Sequence, residues 1–189
     1  MPTSKVAALL FSLGLTLSCV SAPDTHSETD RRFGLGRLAS EAEIRSWDID
    51  VAPTGAGLPP GRGTARDGAG IYVAKCAGCH GATGTEGPMP RLVGGRNTLA
   101  TEHPLKTVGS YWPYATTVYD YVHRAMPYNA PQSLTPDETY AVTAWLLFQN
   151  GILTEEAVLD SHTLPAVTMP NRNGFVSDPR PDVPVRKAP

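Results

Sequence analysis

Cys76-Ala77-Gly78-Cys79-His80 is the stretch on which the reading of this 189-residue chain turns. It is C-x-x-C-H, the attachment pattern of a c-type haem. Each thiol can add across one haem vinyl group, and two intervening residues let both sulfurs reach their vinyls. His80, directly after, would lie under the iron and offer a ring nitrogen. The plainer readings of such a cysteine pair are a small disulfide or half a zinc site. A structural zinc site needs further Cys or His ligands at ribbon-like spacing, and no second pair exists. The haem reading stands ahead of both.

Working outward, helix signals bracket the motif. Thr64 to Lys75 reads as a helix leading into it, with Thr64 as N-cap and Asp67 in the first turn. Gly68 and Tyr72 share a face of that helix. A second helix is expected over Thr117 to Ala125, stopped by Pro127, with Val118, Val122 and Ala125 on one stripe. The third is the clearest: Thr135 caps, Pro136 takes the first helical position, Glu138 completes a capping box, and Asn150-Gly151 ends it. Its interior, Tyr140 to Phe148, is almost wholly apolar and should be buried on most sides. Trp145 is expected to pack near Tyr72 where the first and last of these helices cross.

His80 can fill only one axial position of an iron, so a second ligand should come from further along. The methionine candidates are Met89, Met126 and Met169, with His103 and His123 as rivals. Met89 lies only nine residues past His80, a short path around a haem edge, and Met169 falls in an irregular tail. Met126 sits between two helices, with Pro127 stiffening its loop, and is the favoured candidate. Thioether ligation favours ferrous iron and leaves no open position, so the site should pass electrons rather than make bonds. Pro90 is placed for its carbonyl to accept the other ring N–H of His80, which would fix the imidazole and strengthen it as a ligand. Tyr111, Trp112, Arg91, Arg96 and Arg124 are candidate propionate contacts, each equally readable as ordinary surface or core. The exposed edge near Cys79 and the Met126 loop would be the electron port.

The ends read differently. Residues 1–22 resemble an export signal, with Lys5 as sole charge ahead of the apolar run Val6–Leu17. That run is short for a bilayer span. Cleavage after Ala22 and lipidation of Cys19 are both open, so membrane attachment is expected only if Cys19 is lipidated. Residues 23–63 form an N-terminal arm with one short helix, begun by Ser40 and Glu43 as a capping box ahead of Ile44 and Trp47. Residues 64–151 form the haem domain, and 152–189 a Pro-rich C-terminal arm. Formal charge is −2, or −3 without residues 1–22, which gives no pull toward nucleic acid. Within residues 64–151, six basic and six acidic side chains balance, which favours lasting apolar association over docking by a charged ring.

At these residues the chain resembles class I cytochromes c. The shared pattern is Gly68-x3-Tyr72-x3-Cys76-Ala77-Gly78-Cys79-His80-Gly81, then Pro90-Arg91-Leu92-Val93-Gly94, a Met126-Pro127 loop, and a final helix with an aromatic. The likeness is closer to one branch, the cytochrome subunit of Sox-type sulfane dehydrogenases (SoxD-like), with sulfite dehydrogenase cytochromes as relatives. Trp47–Val51, Thr107–Thr117, Arg124–Thr135, Met169–Arg172 and Gly174-Phe175 carry it. The resemblance implies an all-α, class I cytochrome c-like set of helices around one covalent haem c, with irregular arms. It implies a periplasmic electron-transfer subunit, not catalytic alone. Electrons would come singly from a molybdenum-cofactor subunit that oxidises reduced sulfur and go on to a soluble cytochrome c. A free or lipid-anchored respiratory carrier is the other reading.

Overall fold

Three helices start by the same local device. Ser40, Thr64 and Thr135 lie in extended backbone and accept the N–H of the third residue on. Glu43, Asp67 and Glu138 return a carboxylate to the cap's own N–H. These reciprocal bonds satisfy donors that every helix start leaves open. In the computed structural model, which describes residues 35–178 and 180, they begin α1 (Glu41–Trp47), α2 (Ala65–Lys75) and α5 (Pro136–Gln149). Between α2 and α5 lie the single turn α3 (Ala77–His80) and α4 (Ala115–Ala125).

Helix α4 begins at Ala115, two residues before the expected start at Thr117. Neither Thr116 nor Thr117 caps it. Thr117 donates back to the Tyr114 carbonyl, and Thr116 donates to the Pro53 carbonyl at 3.0 Å. Its stripe is as expected, with Val118 and Val122 buried and Ala125 half-buried. Helix α1 buries nothing, and Trp47 is 86% exposed.

Helix α5 is the centre of the packing, with Thr139 through Leu147 buried without a break. On one side α2 crosses it so closely that a Cβ on Gly68 would lie 2.0 Å from the Ala141 carbonyl oxygen. Just along the crossing, Tyr72 stacks on Trp145 with ring centroids 3.7 Å apart, the contact expected of the first and last helices of the haem domain. On another side α4 meets α5 through Tyr119 and Tyr140, 4.5 Å between rings.

The irregular segments are built onto this helical core. Arg62-Gly63 (β1) pairs antiparallel with Leu159-Asp160 (β2), so the run before α2 and the run after α5 hold each other. The Tyr140 hydroxyl donates to the Pro59 carbonyl at 2.9 Å, and Asp120 Oδ1 accepts the Val51 N–H at 2.8 Å. Leu159, Leu164 and Met169 are buried in the same core as Tyr72 and Leu147. The architecture is mainly helical, with one minimal ladder and long irregular arms.

The packed unit is Ser40 onward; of the preceding unit, residues 35–39 are described and form no regular secondary structure. The export-signal region and Cys19 lie outside the described residues. Among the described residues, no helix is long and apolar enough to cross a membrane.

Candidate haem site

Helix α2 ends at Lys75, and Cys76 donates its N–H to the Tyr72 carbonyl before the chain makes the turn α3. Cys76 is half-buried, Cys79 is exposed, and the two are not joined by a disulfide. Burial, and then the neighbouring Cys79, push the Cys76 thiol up to about 11, with Lys75 opposing only weakly. Among the described residues, no group of three or more His, Cys, Asp or Glu side chains could hold a metal ion. The zinc and disulfide readings therefore have no geometry behind them.

His80 Nδ1 lies 3.1 Å from the Pro90 carbonyl oxygen. A carbonyl can only accept, so the bond requires the proton on Nδ1 and leaves the Nε2 lone pair free for a metal. Pro90 thus stands where the motif spacing suggests. The loop that delivers it is held at several points. Tyr72 donates its hydroxyl to the Gly81 carbonyl at 3.0 Å, Met89 its N–H to the Cys79 carbonyl at 3.0 Å, and Leu92 its N–H to the Gly84 carbonyl at 2.8 Å.

Met126 closes α4, donating its N–H to the Val122 carbonyl, and turns the backbone extended into a cis bond with Pro127. Its side chain is half-buried against the same core as Cys76, Ala77, Leu92 and Trp112. The rival ligands are placed differently. Met169 is 1% exposed in the core, Met89 is half-exposed with its backbone tied to Cys79, and His103 is on the surface. His123 has its ring against Tyr119 and a buried Nδ1 with no hydrogen-bond partner.

Of the candidate propionate contacts, Tyr111 and Trp112 are half-buried and Arg91 is exposed. Trp112 meets Tyr121 edge-on at 5.7 Å. Arg124 is committed to Asp120 through Nε and Nη2, and Arg96 donates to the Asn150 carbonyl. Two features escaped the sequence. The tail closes over the Tyr111–Tyr114 segment, with Asn171 donating to the Tyr111 carbonyl at 2.8 Å, Phe175 edge-on to Tyr111, and Arg172 3.9 Å above the Tyr114 ring. Thr83-x-x-Glu86 repeats the T-x-x-E spacing of a helix cap inside a loop, a signal that was there to be read.

The donor set fits one group. Two unpaired thiols on one turn, an imidazole with Nε2 free, a thioether and an apolar surround are what a covalently attached haem requires. Comparison with known proteins agrees. The cytochrome c family model matches residues 65–149, and the chain belongs to the class I c-type cytochromes. It is an electron-transfer protein carrying haem c through Cys76 and Cys79. Among solved structures it is similar to the sulfane dehydrogenase SoxCD from Paracoccus pantotrophus. The match has 46% identity and a TM-score of 0.73, over 80% of this chain and 75% of that one, and places this chain close to the SoxD-like subunits. No curated protein matches the sequence.

Proposed function

We propose that this chain is the periplasmic electron-transfer subunit of a molybdenum-dependent dehydrogenase acting on sulfane or sulfite sulfur, with His80 and Met126 as the axial ligands of its haem. The observation that carries the reading is the extent of the SoxCD likeness. It covers 80% of the chain, well beyond the 65–149 stretch that a minimal cytochrome c occupies. The arms outside that stretch are therefore shared with a dehydrogenase.

When bound, the haem supplies a one-electron couple. The chain's own residues do the rest. Cys76 and Cys79 would hold the group through thioether bonds. His80 presents Nε2 while its Nδ1–H is pinned by Pro90, which keeps the ring oriented and electron-rich. Met126 would fill the remaining position with a soft donor that favours the reduced state. Leu92, Trp112 and the Cys76 side chain are half-buried against the same core as Met126. With His80 and Met126 both holding the iron, no position would be left for substrate, and sulfur chemistry would belong to the partner.

The test is co-expression of the full chain with a molybdenum-containing sulfane dehydrogenase subunit, followed by purification and addition of a reduced sulfur substrate. A stable complex whose haem reduces on substrate addition is the expected result. A monomer that ignores that subunit, and is reduced only by respiratory donors, would make it a free carrier instead. Fractionation and N-terminal sequencing of the mature protein test export and the fate of Cys19.

A further inference from the structure

We infer that Glu86 is a positioning residue for the His80 imidazole, holding in place the loop that brings the Pro90 carbonyl to Nδ1. This rests on the reading of His80 as an iron ligand and goes beyond it.

The loop from Gly81 to Pro90 must leave α3, reverse, and return to the ring it has just left. Glu86 closes the reversal. Its carboxylate accepts the Thr83 hydroxyl and, at 3.2 Å, the Thr83 N–H, and the Thr83 and Thr85 hydroxyls meet at 2.8 Å. Donors from Thr83, with Thr85 adding to them, bring the Glu86 carboxyl down to about 2 although the side chain is exposed. The carboxylate also lies against the residue after the ligand, since a Cβ on Gly81 would sit 2.4 Å from Glu86 Oε2. The next residue, Gly87, presses onto the ligand turn itself, where a Cβ would be 2.1 Å from the Cys79 carbonyl oxygen and 2.5 Å from the His80 carbonyl carbon. From there the chain runs through the Met89 N–H to Cys79 and the Pro90 carbonyl to His80. Glu86 touches neither iron nor ring. It acts through two residues packed on the backbone of the ligand turn.

The sign of the effect is fixed by chemistry. A tight Nδ1–H···O bond makes the imidazole a stronger donor and favours ferric iron. Loosening the loop weakens that bond, exposes Nδ1–H to solvent and raises the midpoint potential.

The experiment compares wild-type holoprotein with Glu86→Ala, Glu86→Gln and Thr83→Ala, and with Glu138→Ala, which breaks a comparable box on α5 far from the loop. Hydrogen exchange of the His80 Nδ1–H is followed by NMR in the ferrous state, alongside the midpoint potential. Glu86→Ala should speed exchange by about tenfold, the scale of losing one strong local restraint, and raise the potential. Glu86→Gln, which keeps an acceptor oxygen, should fall between it and wild type. Thr83→Ala should move both readings the same way by less, and it serves if Glu86→Ala folds poorly. Glu138→Ala should leave both unchanged. Exchange and potential unmoved in Glu86→Ala and Thr83→Ala, or moved equally by Glu138→Ala, would overturn the proposal. Absence of a haem-shifted Nδ1–H signal in wild type would instead remove the ligand assignment, and this proposal with it.

Discussion

Replacing Gly68 by Ala sets two magnitudes against each other. In an exposed helix interior the change stabilises by about 1 kcal/mol, because alanine loses less backbone freedom on folding. At the crossing of α2 and α5 the added Cβ would lie 2.0 Å from the Ala141 oxygen, 2.5 Å from its carbonyl carbon and 3.0 Å from Trp145 Cβ. Carbon contacts settle at about 3.5 Å or more, so the helices would have to part by more than an ångström. The obstacle is backbone in the middle of a buried helix and cannot rotate away. Overpacking of this kind costs about 3 kcal/mol, the upper end of the usual range. Parting the helices also strains the Tyr72–Trp145 stack. A net loss of about 2 kcal/mol follows, or about 4–8 °C in Tm for a chain of this size. Gly70 is the internal control. It is on the same helix, is exposed, and has nothing within 4 Å of its Cβ position. Gly70→Ala should stabilise by up to about 1 kcal/mol. Guanidinium denaturation of the holoproteins, followed by far-UV circular dichroism, reads both. Equal stabilities for the two variants would refute the close crossing on which the fold description depends.

Met126→Ala should abolish the weak near-infrared charge-transfer band of methionine-to-ferric ligation and lower the midpoint potential; its persistence in the oxidised spectrum would return the axial position to another residue. Met169→Ala should do the opposite, leaving the haem spectrum intact while costing about 2–5 kcal/mol in denaturant titrations, as for a buried side chain. Burial raises the Asp120 carboxyl, but the bonds from Arg124 and the Val51 N–H outweigh it and hold the native group below its ordinary 3.8. Its contribution is therefore complete above that ordinary value and is lost as pH falls through the lower native one. Asp120→Asn should destabilise by about 1 kcal/mol at pH 7 and flatten this acid dependence, which unfolding curves at pH 7 and at pH 3 would reveal.

What the residues announce in advance is what obeys a local rule. Ser40, Thr135 and Pro136 mark helix starts because a cap satisfies bonds within four residues, and α1 and α5 begin where those marks stand. C-x-x-C-H is legible because its spacing answers to the shape of a rigid cofactor. Pro90 was within reach because a short loop leaves few ways back to His80. The tail was not legible. Met169, Asn171 and Arg172 sit in irregular backbone with no period to detect; Met169 is placed by burial in the core, and Asn171 and Arg172 by contacts with Tyr111 and Tyr114 far back along the chain. The start of α4 failed for a similar reason, since its threonines are spent on partners that only the folded chain supplies. Trp47, behind the α1 capping box, faces solvent.

The β1–β2 ladder and the buried Met169 have a consequence for biogenesis. A ribosome delivers Cys76 and Cys79 long before it delivers Leu159, Leu164 and Met169, yet the interior around α5 stays incomplete until those three arrive. The two thiols are thus on offer while the chain is still loose, and the packing around α5 closes only when residues 159–169 join it.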